Sequence, residues 1–509
     1  MRPRKALNAM TLSTTLLADH LAAELAREDG PVGLKSGLPL NRRLAEVLRR
    51  AILDGRLDAG ERLPSSRELA ADLRVSRNTV VAALEQLAAE GYVVGRVGSG
   101  TFVAEPPAGL RAALRRSAPA AAVPGLSRRG QRLARTRNAQ HLELQPFTPG
   151  PADFSAFPVA LWQRLQNKHW RGARPEMLDY TTSGGYGPLR RAVADHLRIA
   201  RSVRLEPEQV IITSGTQQSL ELCARLLADE GDTVWIEDPA YWGAVKALQA
   251  CGLQLHPLPV DGQGWTPPPE AAPAPRLIYV TPSHQYPTGA VMPLARRRAL
   301  LAEAARHQAW VLEDDYDSEF RFDGAPIAAL AGLDDDGRVC YLGTFSKVLY
   351  PGLKLGYLVV PRARVEDFRQ AHYDLNRPGQ LPLQAALAEF IELGHFASAL
   401  RRARQAYAAR RELLLQALQP LLQRPDVTPQ GSAQGLHLCL QLPGAVDDTA
   451  IAQRLAAEGI TVRPLSAYGL ARRDLRGLLI GYGYAQPALI EPCARRLVEV
   501  VQQALDGRT

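Results

Sequence analysis

LDGRLDAGERLPSSRELAADLRVSRNTVVAALEQLAAEGYVVGRVGSGTFV, residues 53–103, holds three structural signals in succession. In LPSSREL, Ser65 or Ser66 precedes an apolar-periodic run and predicts the N-cap of a helix reaching about Leu73. A short turn at Arg74–Val75 follows, and Ser76 then caps a further helix, RNTVVAALEQLAAEG, which Gly91 closes. YVVGRVGSGTFV reads as two β-runs around Gly-Ser-Gly, a hairpin. Upstream, RRLAEVLRRAILDG places Leu44, Val47, Leu48, Ala51 and Ile52 on one helical face and stops at Gly55. A helix, a helix–turn–helix and a hairpin in that order predict a winged helix-turn-helix over residues 36–103.

Such a unit reads DNA with the first turn of its last helix, where short polar and cationic side chains enter the major groove. Here that turn is Ser76, Arg77, Asn78 and Thr79. Arg can pair bidentately with guanine and Asn with adenine. Arg67, near the start of the preceding helix, can clamp a phosphate or a base. Gly98 and Gly100, around Ser99, let the backbone of a wing approach the minor groove. A single capped surface helix facing only water would look the same; the whole 36–103 pattern is what favours DNA.

Charge points the same way. The chain carries 61 Lys+Arg and 52 Asp+Glu, a net of +9. Residues 1–143 hold 23 basic and 14 acidic residues, and the remainder 38 of each, so the whole excess lies in the first quarter. A nucleic-acid partner explains this. A solvated basic linker is the bland alternative, because residues 104–143 carry eight Arg against two Glu.

At 509 residues the chain exceeds one ordinary core, so two or more domains are expected. Residues 1–35 read as an N-terminal extension. Residues 104–143, rich in Ala, Pro, Gly and Arg, read as a linker with a short helix at 109–116. A flexible linker of about 40 residues spans about 35 Å, close to the spacing of half-sites one helical turn apart. Residues 144–509 alternate helical and strand-like stretches, which implies an α/β domain with a largely parallel sheet. No apolar run is long enough to cross a bilayer. The basic N-terminus lacks a long apolar segment and a small-residue cleavage site, so a cytoplasmic protein is expected. Cys223, Cys251, Cys340, Cys439 and Cys493 are scattered and form no CxxC pair, so neither disulfides nor a zinc site is expected.

Four segments of the larger part make chemical sense together. TSGTQQSLELCARLL, residues 213–227, follows the β-run Val210–Ile212 and opens a helix. The N–H groups of Gly215, Thr216 and Gln217 would face an anion such as phosphate; alone, this is equally a plain capped helix. In IEDPAYWGA, residues 236–244, Tyr241 follows a β-run and could stack on a planar ring or belong to the core. VLEDDYDSEF, residues 311–320, ends a strand with several carboxylates. A pyridine nitrogen kept protonated needs such a partner, and Asp314 is the choice. Tyr316, two residues on and on the same face of an extended segment, could reach the ring's phenolic oxygen. A magnesium site is the alternative for this acidic run. In YLGTFSKVLYPGLKLGYLVV, residues 341–360, Lys347 lies in a loop between apolar strands. A desolvated lysine there has a lowered pKa and can form a Schiff base with an aldehyde. Ser346 and Lys354 could reach a phosphate.

Residues 53–103 closely resemble the GntR-type winged helix. By that resemblance Arg67, Ser76, Arg77, Asn78 and Thr79 fall on DNA-contacting positions, and Gly98 and Gly100 on the wing. Asn41 stands where many relatives carry an aromatic. The four later segments, with GYGPLR (185–190) and TPSHQYPTG (281–289), resemble fold-type I enzymes of the aminotransferase family that use pyridoxal 5'-phosphate (PLP). Together the chain resembles the MocR subfamily of transcription regulators over nearly its whole length. The resemblance implies a fold-type I large domain with a small C-terminal α+β lobe. It also implies PLP on Lys347, Asp314 at its ring nitrogen, Tyr316 at its phenolic oxygen and Tyr241 over the ring. Gly215–Gln217, Ser346 and Lys354 would then hold its phosphate. A homodimer is implied, with an operator near the chain's own gene, and PLP or an amine or amino acid as the signal. Three departures stand out. Tyr286 replaces the usual Asn of Asn-Pro-Thr-Gly. Lys354 stands for the phosphate arginine and loses its fork. No substrate-carboxylate arginine is evident near Gly477–Tyr482, where Arg476 and Arg463 are the candidates. The last departure weighs against the alternative, a working aminotransferase with a DNA-binding appendage.

Overall fold

The computed structural model describes residues 21–25, 38–96, 98–104, 125–134, 144–155, 157–181, 183–323 and 327–507. The chain divides into two compact units, Met1–Gly125 and Leu126–Thr509.

In the first unit, helix α1 spans Leu40–Leu53, α2 Ser66–Asp72 and α3 Arg77–Ala89. Ser65 and Glu68 form a reciprocal capping box: Glu68 N donates to Ser65 Oγ (3.3 Å) and Ser65 N to the Glu68 carboxylate (2.7 Å). Ser76 Oγ accepts from Thr79 N at 3.1 Å and starts α3. Strands β1 (Val93–Arg96) and β2 (Gly100–Val103) pair antiparallel, with Arg96 opposite Gly100. Gly98 and Gly100 have φ of +75° and +107°, which a side chain would strain. Leu44, Leu48, Leu69, Val80, Ala83, Leu87, Val93 and Val103 make the core. The predicted inner face of α1 gains Ala45, whereas Ile52 is only partly buried. Residues 21–25, within the predicted extension, are helical, and Leu21 is fully buried in this same core. The helix predicted at 109–116 lies outside the described residues.

In the second unit, helix α4 (Arg128–Ala134) falls inside the stretch read as linker. It is held to the large domain by an Arg129–Glu230 ion pair at 2.7 Å and by Lys246 Nζ donating to the Arg132 carbonyl at 3.3 Å. An eight-stranded sheet follows. Its strands are β3 (Val210–Thr213), β4 (Thr233–Asp238), β5 (Gln254–Asp261), β6 (Gly264–Trp265), β7 (Leu277–Val280), β8 (Trp310–Asp315), β9 (Val339–Thr344) and β10 (Gly356–Val359). Their order is β3-β10-β9-β8-β7-β4-β5-β6. The five central strands β9, β8, β7, β4 and β5 are parallel, and β10 runs against both its neighbours. Strands such as VIIT and LIYV are buried along their whole length, as expected of a sheet covered on both faces. A second sheet, order β11-β12-β14-β13, is antiparallel throughout. It comprises Thr428–Gln430 (β11), His437–Gln441 (β12), Gly477–Gly481 (β14) and Arg463–Pro464 (β13). With its helices this is the small α+β lobe, joined to a large fold-type I domain.

Candidate cofactor site and DNA-reading surface

The carboxyl ends of β3, β4, β7, β8 and β9 open on one side of the sheet, where ligands bind in open α/β folds. Each end delivers one of the predicted segments. After β3, Gly215 takes φ +116° and ψ 177°, a conformation essentially confined to glycine. The helix α5 (Thr216–Leu227) starts at once, directing its free N–H groups into the crevice. Glycines allow the approach of neighbouring strands: a Cβ on Gly356 would lie 2.8 Å from both Gly215 Cα and the Gly343 carbonyl oxygen. After β4, Tyr241 caps the helix α6 (Trp242–Ala250), and its hydroxyl accepts from Gln217 Nε2 at 3.5 Å.

Strand β8 sorts its carboxylates by the period-two alternation of a strand. Glu313 and Asp315 face one side, where Asp315 pairs with Arg201 at 2.8 Å and Glu313 lies 3.7 Å from Arg297. Asp314 faces the other. Tyr279 Oη donates to Asp314 Oδ2 at 2.8 Å, and Asp314 Oδ1 is buried with no hydrogen-bond partner. Burial pushes the Asp314 carboxyl up to about 7, against the hydrogen bond from Tyr279. Glu237, buried at the end of β4, is likewise pushed up to about 7 by burial, despite hydrogen bonds from Thr281 and Gln285.

Lys347 lies past β9, and its Nζ donates to the Gly150 carbonyl at 2.6 Å. Desolvation lowers its pKa while Asp317 and Asp314 oppose that shift. A neutral amine is the nucleophilic form. Tyr316 lies just beyond the end of β8, so its placement owes nothing to strand pairing. Its hydroxyl donates to the His284 carbonyl (2.9 Å) and lies 3.1 Å from His284 Nδ1, which also meets Asp317 Oδ2 at 2.9 Å. His284, Asp317 and His437 form a buried group within 4.8 Å of one another, and sequence reading did not single out the two histidines. Ser346 is half-buried with its N–H on Thr344 Oγ1 (3.1 Å). Lys354 is exposed, with φ +52°. Tyr286 turns its ring into a cluster with Tyr241, Tyr316, His437 and Tyr468, at centroid distances of 5.5, 5.9, 5.4 and 5.5 Å.

This crevice fits PLP on four features of the chain itself: a buried carboxylate oxygen lacking a donor, a glycine-started helix N-terminus, an aromatic at its rim, and a desolvated lysine. Tyr279 and the Gly150 carbonyl escape the sequence reading because only strand pairing and long-range packing bring them there.

On the first unit, Arg67, Ser76, Arg77 and Asn78 are exposed on adjoining helix starts. Thr79 is half-buried, its hydroxyl 2.8 Å from that of Ser76. Gly98 and Gly100 are exposed at the hairpin end.

Residues 40–103 match the bacterial regulatory proteins of the gntR family, and residues 152–478 match the class I and II aminotransferases. The probable rhizopine catabolism regulatory protein MocR of Rhizobium meliloti is 41% identical over 452 residues, covering 88% of this chain and 91% of its own. The pyridoxine biosynthesis transcriptional regulator PdxR of Corynebacterium glutamicum is 32% identical, covering 89% and 95%. Among solved structures, the α-aminoadipate aminotransferase LysN of Thermus thermophilus superposes with a TM-score of 0.67 at 26% identity, over 75% of this chain and 98% of that one. Two domains in this order, matched by regulators over most of the length of each chain, leave one conclusion: the chain belongs to the MocR group of GntR-type transcription regulators, a winged helix-turn-helix joined to an aminotransferase-like domain.

Proposed function

We propose that the chain is a sequence-specific DNA-binding regulator whose large domain holds PLP covalently on Lys347 and senses PLP itself, an amine or an amino acid. The observation that carries the cofactor assignment is Asp314 Oδ1, buried beside the lysine without a donor. Asp314 Oδ1 would accept from the protonated ring nitrogen of the cofactor, and that charge pair would offset the desolvation that pushes Asp314 up. When bound, the cofactor supplies an aldehyde that captures primary amines and a ring that withdraws electrons. The remaining roles belong to the chain. Gly215, Thr216 and Gln217 present amides to the phosphate, with Ser346 and Lys354 at its edge. Tyr241 would cover the ring, and Tyr316 would hold the phenolic oxygen. Arg67, Ser76, Arg77, Asn78, Thr79, Gly98 and Gly100 form the DNA surface.

A homodimer in the cytoplasm is part of this reading, with two winged domains on paired half-sites of an operator near the chain's own gene. No helix among the described residues is long and apolar enough to cross a membrane. The test is a gel shift on the DNA upstream of that gene, with and without PLP and a panel of amines. Specific binding that changes with one ligand supports the regulator. Absence of specific binding in the PLP-loaded protein, with steady turnover of a 2-oxo acid, would favour the aminotransferase.

A further inference from the structure

Arg201 and Arg297, which meet Asp315 and Glu313 on the face of β8 opposite Asp314, also line a cavity of about 160 Å3. Two further arginines join them: Arg321, and Arg404 of the long helix His395–Ala417. Arg201 and Arg297 are buried, Arg321 is half-buried and Arg404 is exposed, so the four run from the floor of the cavity to its mouth. Burial holds the Arg297 guanidinium below its usual range; Arg201 and Arg321 press it the same way, while Glu313 and Asp315 oppose them. Among the described lining residues the one acid is Glu319, whose carboxylate lies 3.9 Å from His196. The wall also holds unspent donors. An arginine can only donate, so Ser283 Oγ accepts from Arg201 Nη2 (2.6 Å), and its own hydrogen has no acceptor among the described residues. Ser318 Oγ is buried with no hydrogen-bond partner. Arg404 gives its Nε to the Glu319 carbonyl, and neither Nη has a partner among the described residues.

Donors on several sides of a cation-rich cavity suit an acceptor with oxygens in every direction. The cavity also shares a wall with the cofactor crevice, because three chain segments place one residue on each side of it. Ser283 lines the cavity, and the next residue, His284, meets the Tyr316 hydroxyl. Ser318 lines it, and the preceding Asp317 bonds His284 Nδ1. Gln434, between β11 and β12, lines it, accepts from Arg321 at 2.9 Å and donates to the Ser283 carbonyl. The next residue, Gly435, packs so closely on His284 that a Cβ there would overlap the ring. We propose that this cavity is a second ligand site, for a small tetrahedral oxyanion of the inorganic phosphate class, and that the cofactor crevice feels its occupancy through His284 and Tyr316. The oxyanion site stands on the cavity alone; the coupling rests on the reading of the crevice as a PLP site.

The experiment is calorimetric titration of the full-length protein, loaded with PLP, with inorganic phosphate at an ionic strength held constant with chloride. The cofactor's own phosphate then occupies the α5 N-terminus, so further phosphate must bind elsewhere. A saturable heat is expected. Arg404→Gln removes charged hydrogen bonds at the mouth and should weaken phosphate roughly 10- to 100-fold. Ser318→Ala should weaken it less. Arg401→Gln, an exposed arginine of the same helix outside the cavity, should change nothing. Phosphate should also move the pH midpoint of the visible band in the wild type and not in Arg404→Gln. Absence of a saturable heat would mean that the cavity holds only water, and overturns the proposal. So does a loss that is equal in Arg401→Gln and Arg404→Gln, which is the mark of diffuse surface charge, or an Arg404→Gln protein that binds as the wild type does. Saturable binding with an unmoved band overturns the coupling. A protein that forms no visible band fails the PLP reading instead, and the dependence of phosphate binding on Arg404 still decides the oxyanion site.

Discussion

Tyr279 Oη sits 2.8 Å from Asp314 Oδ2, and the two side chains project from the adjacent strands β7 and β8 into the same crevice. The phenol satisfies one carboxylate oxygen, while the other, Oδ1, is buried without a hydrogen-bond partner. Removing the donor leaves a buried acceptor unsatisfied, a loss of about 1–3 kcal/mol. Tyr279→Phe should therefore weaken PLP binding roughly tenfold, read as the Kd in a titration of the visible absorption band. An unchanged Kd would show that Tyr279 only fills the core.

Asp314 is held against its own stability, and the sign can be worked out. Burial raises its pKa from the ordinary carboxylate range to about 7, so between about pH 4 and 7 the folded chain keeps a proton that the unfolded chain has lost. Stability falls as pH rises through that window, and the full cost is present above it. Asp314→Asn removes the cost. The cofactor-free variant should gain roughly 2–4 kcal/mol over the wild type at pH 8 and much less at pH 5, while losing affinity for PLP. Thermal melts at the two pH values check this; an equal gain at both would mean the carboxylate is not the strained group.

Lys347 and Arg77 serve different units, so their effects should separate. Lys347→Ala should remove the covalent visible band and leave a protein that still binds DNA. Arg77→Ala should remove sequence-specific DNA binding and leave the band intact. A band that survives in the first variant, or a specific gel shift that survives in the second, would contradict the assignment of that residue.

Much of this architecture is legible in one dimension because its signals are local. Ser65 and Ser76 announce their helices by capping chemistry, and Gly215, Asp314 and Lys347 each fall where a β-run ends. What is hidden depends on distant packing. Which acid of Glu313-Asp314-Asp315 faces the crevice follows from alternation, but that Arg297 and Arg201 occupy the other face is set by residues far away in the chain. Tyr316 follows no strand geometry at all; His284 and Asp317 position it.

Leu21 is the clearest case of a residue with no sequence signal. It stands in a stretch that reads as an extension, yet its side chain is fully buried among the helices of the winged domain. Arg43 of α1 donates to the Leu25 carbonyl, which ties the same segment to the domain. A buried leucine cut to alanine loses transfer energy and leaves a cavity, about 2–5 kcal/mol together. For a domain of roughly 85 residues this should lower the melting temperature by about 10 °C or more, taking about 4–8 °C per kcal/mol. Leu21→Ala should thus weaken DNA binding through partial unfolding of the first unit, with the PLP band unaffected. Melts of the first unit, followed by hydrogen exchange at Leu48 and Leu87, separate this from a direct DNA contact. Full protection at those amides in the variant would mean that residues 21–25 rest on the domain without supporting it.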